Sequence, residues 1–157
     1  ALRRASEIVS RAETEAAEIM KKAESGARLE YGKRLLKERV ALVDEVLQKA
    51  LERLRALPDT AYSDALKAMA LRYAEPGAGQ MLVSAQDIKR LPADFEKALN
   101  RALAPKSASL TVNGRDGVTG GGFVLVYGDI EHNCTFPALL EAYRDELSDL
   151  VRGRLFR

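Results

Sequence analysis

The chain has no proline before Pro58, and up to that point its only glycines are Gly26 and Gly32. Nothing in the first 57 residues therefore forces a helix to stop. There is one cysteine, which excludes an internal disulfide and fits a reducing compartment. There is one histidine, so with that cysteine a four-ligand zinc site is two ligands short. No apolar run approaches the roughly 18 residues needed to span a bilayer. Signal-peptide features are absent, and the chain opens on Ala1 rather than methionine, which predicts a fragment whose helix extends further upstream. Charge of one sign is also lacking. The net charge is +2 with 31% charged residues, and the cations are interleaved with acids, which argues against a nucleic-acid groove.

What is there is a helix former's composition. Ala1 to Leu57 is dense in Ala, Leu, Glu, Lys and Arg, the residues that lose least on entering a helix. A helix of that length reaches roughly 85 Å, against about 30 Å for a small domain, so most of it is expected to project beyond any core. Cut into elevens, it reads ALRRASEIVSR, AETEAAEIMKK, AESGARLEYGK, RLLKERVALVD. Ala1, Ala12 and Ala23 fall in register, as do Ala5, Ala16 and Ala27, then Ile8 and Ile19, then Val9, Met20, Tyr31 and Leu42. An eleven-residue period is about 3.67 residues per turn and predicts a shallow right-handed supercoil with a partner helix. The small side chains let that partner approach closely but bury little apolar area per residue. The partner-helix interface is thus expected at Ala1, Ala5, Ile8, Val9, Ala12, Ala16, Ile19, Met20, Ala23 and Ala27. A solvated single helix held by Glu/Lys pairs is the alternative, and the alanine register favours pairing.

From Leu29 the stripe changes. Leu29, Leu36, Val40, Val43, Leu47, Leu51, Leu54 and Leu57 recur at three, four and seven, which predicts docking onto the chain's own head. Gly26 and Gly32 near the transition mark either a bend, a close helix contact or tolerated glycines. Residues 1–57 are read as the long helix, with a coiled-coil part over about 1–35 and a docking part over about 36–57. Residues 58–157 are read as the head.

Pro58 ends the long helix. Asp59 or Thr60 caps a second over Ala61 to Tyr73, with Leu66, Met69, Ala70 and Tyr73 inward. Glu75 to Gln80 is a turn cluster, Met81 to Val83 a short strand, and Ser84 to Leu91 a short Ser-capped helix. Pro92 opens a helix over Ala93 to Leu103 that buries Phe95, Leu99 and Leu103. Pro105 to Ser107 is a loop, and Leu110 and Val112 share one face of a strand. After a loop over Asn113 to Gly122, Phe123 to Tyr127 and Ile130 to Thr135 form a hairpin turned by Gly128-Asp129. Thr135 caps a last helix that runs to about Phe156, with Leu140, Tyr143, Leu147, Leu150 and Val151 on one face. The fold class is α+β: a long N-terminal coiled-coil helix, then a small C-terminal head with a mostly antiparallel sheet.

Three constellations invite chemistry. The glycine loop Gly117 to Gly122 lacks the lysine and Ser/Thr of a phosphate loop and leads into a strand, so it reads as a connection permitting close backbone approach. Asp129, Glu131, His132 and Cys134 suggest a metal or a Cys-His nucleophile, but His132 and Cys134 share a strand face with Ile130 and Phe136 and read as packed side chains. Asn133-Cys134-Thr135 matches a glycosylation sequon that is discounted without a signal peptide. No catalytic residue, cofactor or metal is expected.

Gly121 to Leu140 (GGFVLVYGDIEHNCTFPALL) carries a double glycine, an apolar strand, Gly-Asp, an Ile-x-x-Asn hairpin arm and a Thr-led helix. This resembles the carboxy-terminal domain of the E subunit of the A-type/V-type rotary ATPases, and the upstream Ala/Glu-rich helix is similar to that protein's stalk helix. His132-Asn133-Cys134 departs from the family, where an apolar residue followed by two asparagines is common. The resemblance implies a non-catalytic peripheral-stalk (stator) component, cytoplasmic and peripheral to the membrane. Its implied partners are a helical G or H subunit in a right-handed coiled coil, the catalytic-head B subunit, and the membrane-sector a/I subunit. No nucleic acid is implied. A stator-like regulator of flagellar or type III secretion ATPases shares the layout, but usually with glycines at regular helical spacing. A generic coiled-coil scaffold is the remaining alternative.

Overall fold

A computed structural model describes residues 2–155. Residues up to Leu42 form one compact unit and those from Val43 onward another. Helix α1 runs over Leu2–Arg55, helical through Gly26 and Gly32. An added Cβ at either glycine would meet nothing within 4 Å, so neither is required by packing inside the chain.

The leucine stripe is covered later than its periodicity predicts. Leu29, Leu36 and Val40 are 59%, 63% and 50% exposed, whereas Val43 and Leu47 are buried, and Leu51, Leu54 and Leu57 pack against the core. Periodicity reports which side of a helix is apolar, not how far along it the cover extends.

In the second unit, α2 spans Asp59–Tyr73, β1 Gly77–Val83, α3 Phe95–Leu103, β2 Ala108–Gly114, β3 Gly122–Tyr127 and β4 Ile130–Thr135. Helices α4 (Phe136–Ala142) and α5 (Arg144–Leu155) follow. The sheet order is β2-β1-β3-β4, with β1 and β2 parallel and the other two pairings antiparallel. The parallel pair needs a crossover, which the 3-10 turn Asp87–Arg90 and α3 supply. The core gathers Tyr62, Leu66 and Ala70 of α2 with Phe95, Leu99 and Leu103 of α3. Met81, Val83, Leu110, Phe123 and Leu125 complete it from one face of the sheet.

Several boundaries differ from the sequence reading, each for a tertiary reason. β1 begins at Gly77, inside the expected turn cluster, because Gly77 to Val83 pairs along β2. A Cβ on Gly79 would lie 2.5 Å from Tyr127 Cε1, so only glycine lets that ring cross the strand. The Tyr127 hydroxyl then accepts the Glu75 N–H at 3.0 Å. α2 starts at Asp59, with Pro58 in the capping position, because the Asp59 carboxylate is bonded to Arg90 and is not free to cap. Tyr62 and Ser63 are buried on this helix, while Met69 and Tyr73 are only half-buried. Ser84 does accept the Asp87 N–H at 2.9 Å as expected, but only a single 3-10 turn follows. Thr135 precedes α4 without capping it, since its hydroxyl donates to Asn133 Oδ1 at 2.7 Å.

The expected last helix is two. Tyr143 leaves helical geometry at φ −97°, ψ 6°, and the next residue, Arg144, bonds Asp44 of α1 at 2.6 Å. Leu147 and Val151 are half-buried, but Tyr143 and Leu150 are exposed. Phe156 lies outside the described residues.

Candidate helix-partner interface

The expected seam lies on the first unit. Ala1 lies outside the described residues. The other nine, Ala5, Ile8, Val9, Ala12, Ala16, Ile19, Met20, Ala23 and Ala27, are exposed on α1. At 100° per residue they fall within an arc of about 120° on the helix surface. No charged residue between Arg3 and Arg28 falls inside that arc. The larger members stand well into solvent, with Ile8 69%, Ile19 66% and Met20 73% exposed. Exposed alanine alone is unremarkable, but a sustained charge-free arc with two isoleucines, a valine and a methionine on it is the composition of a surface that another helix covers.

The helix carries exposed ion pairs, among them Arg28–Glu24 at 2.7 Å and Lys33–Glu30 at 3.2 Å. Pairs of this exposed kind contribute about 0.3–0.5 kcal/mol each. That is small against the roughly 1–2 kcal/mol of backbone entropy lost per ordered residue. Ion pairing by itself is therefore a weak account of a helix this long.

Beyond Ala27 the eleven-residue register stops being apolar. Glu30 follows Ile19 and Arg34 follows Ala23 in register, so charge enters the arc there.

The second unit carries clamps. The Arg90 guanidinium lies 3.9 Å above the Tyr62 ring. It donates to Asp59 Oδ1 at 2.7 Å, to the Leu57 carbonyl at 2.6 Å and to the Arg55 carbonyl at 3.3 Å. One side chain thus ties the end of α1, the start of α2 and the loop after β1. Sequence reasoning passed over both Arg90 and Tyr62, because no local spacing signals a contact made across 28 residues. The Tyr62 hydroxyl accepts the Gly122 N–H at 3.1 Å, and burial pushes its pKa up to about 12.

Gly120, Gly121 and Gly122 all have φ near +84°. A Cβ on Gly122 would sit 2.6 Å from the Cys134 carbonyl oxygen. The run lets β3 and the start of α4 touch backbone to backbone, and the Phe136 N–H reaches the Gly121 carbonyl at 3.0 Å. An open cleft of about 680 Å³ beside it is lined by this loop, Arg55, Ser84 and Asp87, with Arg90 already engaged in its clamp.

The structure does not assemble the hairpin's chemistry-bearing residues. Cys134 is buried and its thiol is pushed up by burial. His132 is half-exposed, 3.1 Å from Glu75 Oε1 and edge-on to Tyr127. Glu131 pairs with Arg115 at 2.9 Å. Among the described residues no three His, Cys, Asp or Glu groups come together as metal ligands. No helix among them is long and apolar enough to cross a membrane.

The class these features define is an α+β head preceded by one long helix with an open apolar face. The chain belongs to the ATP synthase (E/31 kDa) subunit family, whose profile matches residues 1–156. It is similar to the V-type proton ATPase E subunit of Clostridium botulinum (strain Eklund 17B / Type B), 30% identical over 149 residues, 95% of this chain and 76% of that one. It is also similar to the V-type proton ATPase E subunit of Thermoanaerobacter pseudethanolicus, 32% identical over 126 residues, 79% of this chain and 63% of the relative. The V-type ATP synthase E subunit of Acetivibrio thermocellus is 30% identical over 106 residues, 66% and 54% of the two chains.

Proposed function

We propose that this chain is a non-catalytic peripheral-stalk component that resists torque between the catalytic head and the membrane sector. In this reading the arc from Ala5 to Ala27 is seamed to a helical G or H subunit as a right-handed coiled coil. The α+β head binds the B subunit of the catalytic ring, and the distal end of the helix reaches the membrane-sector a/I subunit. The long-helix and head regions of the sequence, 1–57 and 58–157, are then the stalk part and the anchor. The observation that carries the reading is the charge-free, small-residue arc exposed along an unbroken helix, in a chain of the E-subunit family.

The physics suits the role. A helix resists stretching through its hydrogen-bond ladder, and a seam of alanines keeps the two axes close while leaving a shallow supercoil that yields slightly to twist.

Co-expression of the chain with a G or H subunit tests the reading. A stable heterodimer by size-exclusion chromatography is expected, and Ala16→Glu should weaken it at least tenfold while the thermal unfolding of the head is unchanged. A heterodimer of undiminished affinity in both Ala12→Glu and Ala16→Glu chains would place the partner elsewhere.

A further inference from the structure

The sheet of the second unit ends on β2 at one side and on β4 at the other, and the two edges are finished differently. We propose that the β4 edge takes up an extended strand of another subunit, one in which Lys or Arg flanks a small aliphatic residue. This deepens the reading that the head binds a second subunit of the ATPase, and rests on that reading only for the source of the strand.

The β2 edge is closed by side chains of α3. The Asn100 amide donates to the Leu110 carbonyl at 2.9 Å, and its Oδ1 accepts the Leu110 N–H at 2.7 Å. Glu96 accepts the Val112 N–H at 2.8 Å. A strand arriving there finds these groups already taken.

The β4 edge has no such cover. The Gly128-Asp129 turn closes on the pair Tyr127–Ile130, so Ile130, His132 and Cys134 bond back to β3. Glu131 and Asn133 then turn their N–H and C=O groups outward. Among the described residues no group meets those four. The next outward N–H, that of Thr135, is taken by Asn133 Oδ1 at 3.1 Å, which ends the open stretch. β4 has no proline or lysine, and its register with β3 is unbroken by a bulge, so the usual guards of an exposed edge are missing. Its two open residues offer an incoming strand two donors and two acceptors at strand spacing.

The surroundings define the strand that fits. An open cleft of about 460 Å³ adjoins the edge, with Val118, Val124, Pro137 and Ala138 on its walls beside Asn133. Those walls suit an aliphatic side chain projecting from one face of the incoming strand. Glu131 is held by Arg115 at 2.9 Å, so that pair adds no net charge. Asp116 on the cleft wall and Asp129 in the turn are exposed, and neither forms an ion pair among the described residues. Two free carboxylates therefore rim the edge, and Lys or Arg on the incoming strand complements them. The same acids disfavour a second copy of this chain, whose β4 would set Asp129 and Glu131 against their own kind.

The test reads amide hydrogen exchange residue by residue, in the isolated chain and in the ATPase complex purified from cells. In the isolated chain the Glu131 and Asn133 amides should exchange fast while those of His132 and Cys134, bonded into the hairpin, exchange slowly. In the complex Glu131 and Asn133 are expected to slow at least tenfold. A photo-crosslinking amino acid at position 130 should capture, in the same complex, a segment of another subunit that contains Lys or Arg. Glu131→Pro removes one outward N–H and no hairpin bond, and should cut that capture at least fivefold. Glu131→Thr loses the same ion pair but keeps the N–H, and should retain more than half. Where Glu131→Pro does not fold, the exchange of the unsubstituted chain decides. Exchange at Glu131 and Asn133 unchanged in the complex, with protection gained elsewhere in residues 58–155, overturns the strand and leaves the head-binding reading standing. No protection gained anywhere in 58–155 overturns both. Capture of a second copy of this chain, or of a segment free of Lys and Arg, also overturns the proposal.

Discussion

Replacing Arg90 with alanine should loosen the joint between α1 and the head more than any exposed charge change. Its side chain is 23% exposed and meets five groups: the Asp59 and Asp87 carboxylates, the Arg55 and Leu57 carbonyls, and the Tyr62 ring. The pair with Asp59 contributes little, about 0.5 kcal/mol, because Asp59 is 66% exposed. Each carbonyl that loses a charged donor costs about 1 kcal/mol, and the guanidinium over the ring contributes about 1 more. The expected loss is about 3.5 kcal/mol. For a head of this size that is roughly 14–28 °C in melting temperature. Urea unfolding of the full chain, followed by tyrosine fluorescence, measures it. Arg90→Lys should recover less than half, since an ammonium cannot reach both carbonyls and Asp59 from one plane. A loss under 1 kcal/mol in Arg90→Ala, or full recovery by lysine, would refute the claim that a planar fork closes this joint.

Further consequences follow from the same geometry. Gly79→Ala should destabilise the head by about 2 kcal/mol by driving Cβ into the Tyr127 ring. Most of that should be recovered when Tyr127→Ala is added, and a double-mutant cycle in urea reads the coupling. Tyr62 is buried neutral with its pKa raised to about 12, above the unfolded value near 10. The stability it contributes is complete below pH 10 and is lost as pH rises toward 12, so Tyr62→Phe should flatten the stability profile in that window. If the slope between pH 10 and 12 is unchanged in that variant, other groups cause it. Gly122→Ala, with a carbonyl 2.6 Å from the new methyl, should reduce soluble expression of the chain at 37 °C more than Gly117→Ala, which shares a positive φ but has nothing within 4 Å, so the difference reads the clash alone.

The parts of the fold legible in the residues are those that local spacing decides. Phe95, Leu99 and Leu103 recur at four and are buried together. The continuous apolar run Phe123 to Tyr127 and the Gly128-Asp129 turn define a hairpin whose register pairs Tyr127 with Ile130. That Ala5 to Ala27 of the proposed seam share one exposed side of α1 was legible because an eleven-residue repeat is a property of one helix. The rest depended on meetings between distant segments. Gly79 reads as a turn residue until Tyr127 is seen to cross it, and Ser84 to Leu91 reads as a helix until its arginine is seen holding the end of α1.

Composition and periodicity by themselves decided that a long helix would form, which of its sides were apolar, and that a mixed α+β head would follow, because hydrogen bonding and side-chain direction within a helix or hairpin are local. Only the tertiary structure decided where the leucine stripe becomes buried, at Val43, and which side chains close the joint. Burial is a property of what lies opposite, and the sequence of one element does not contain its neighbour.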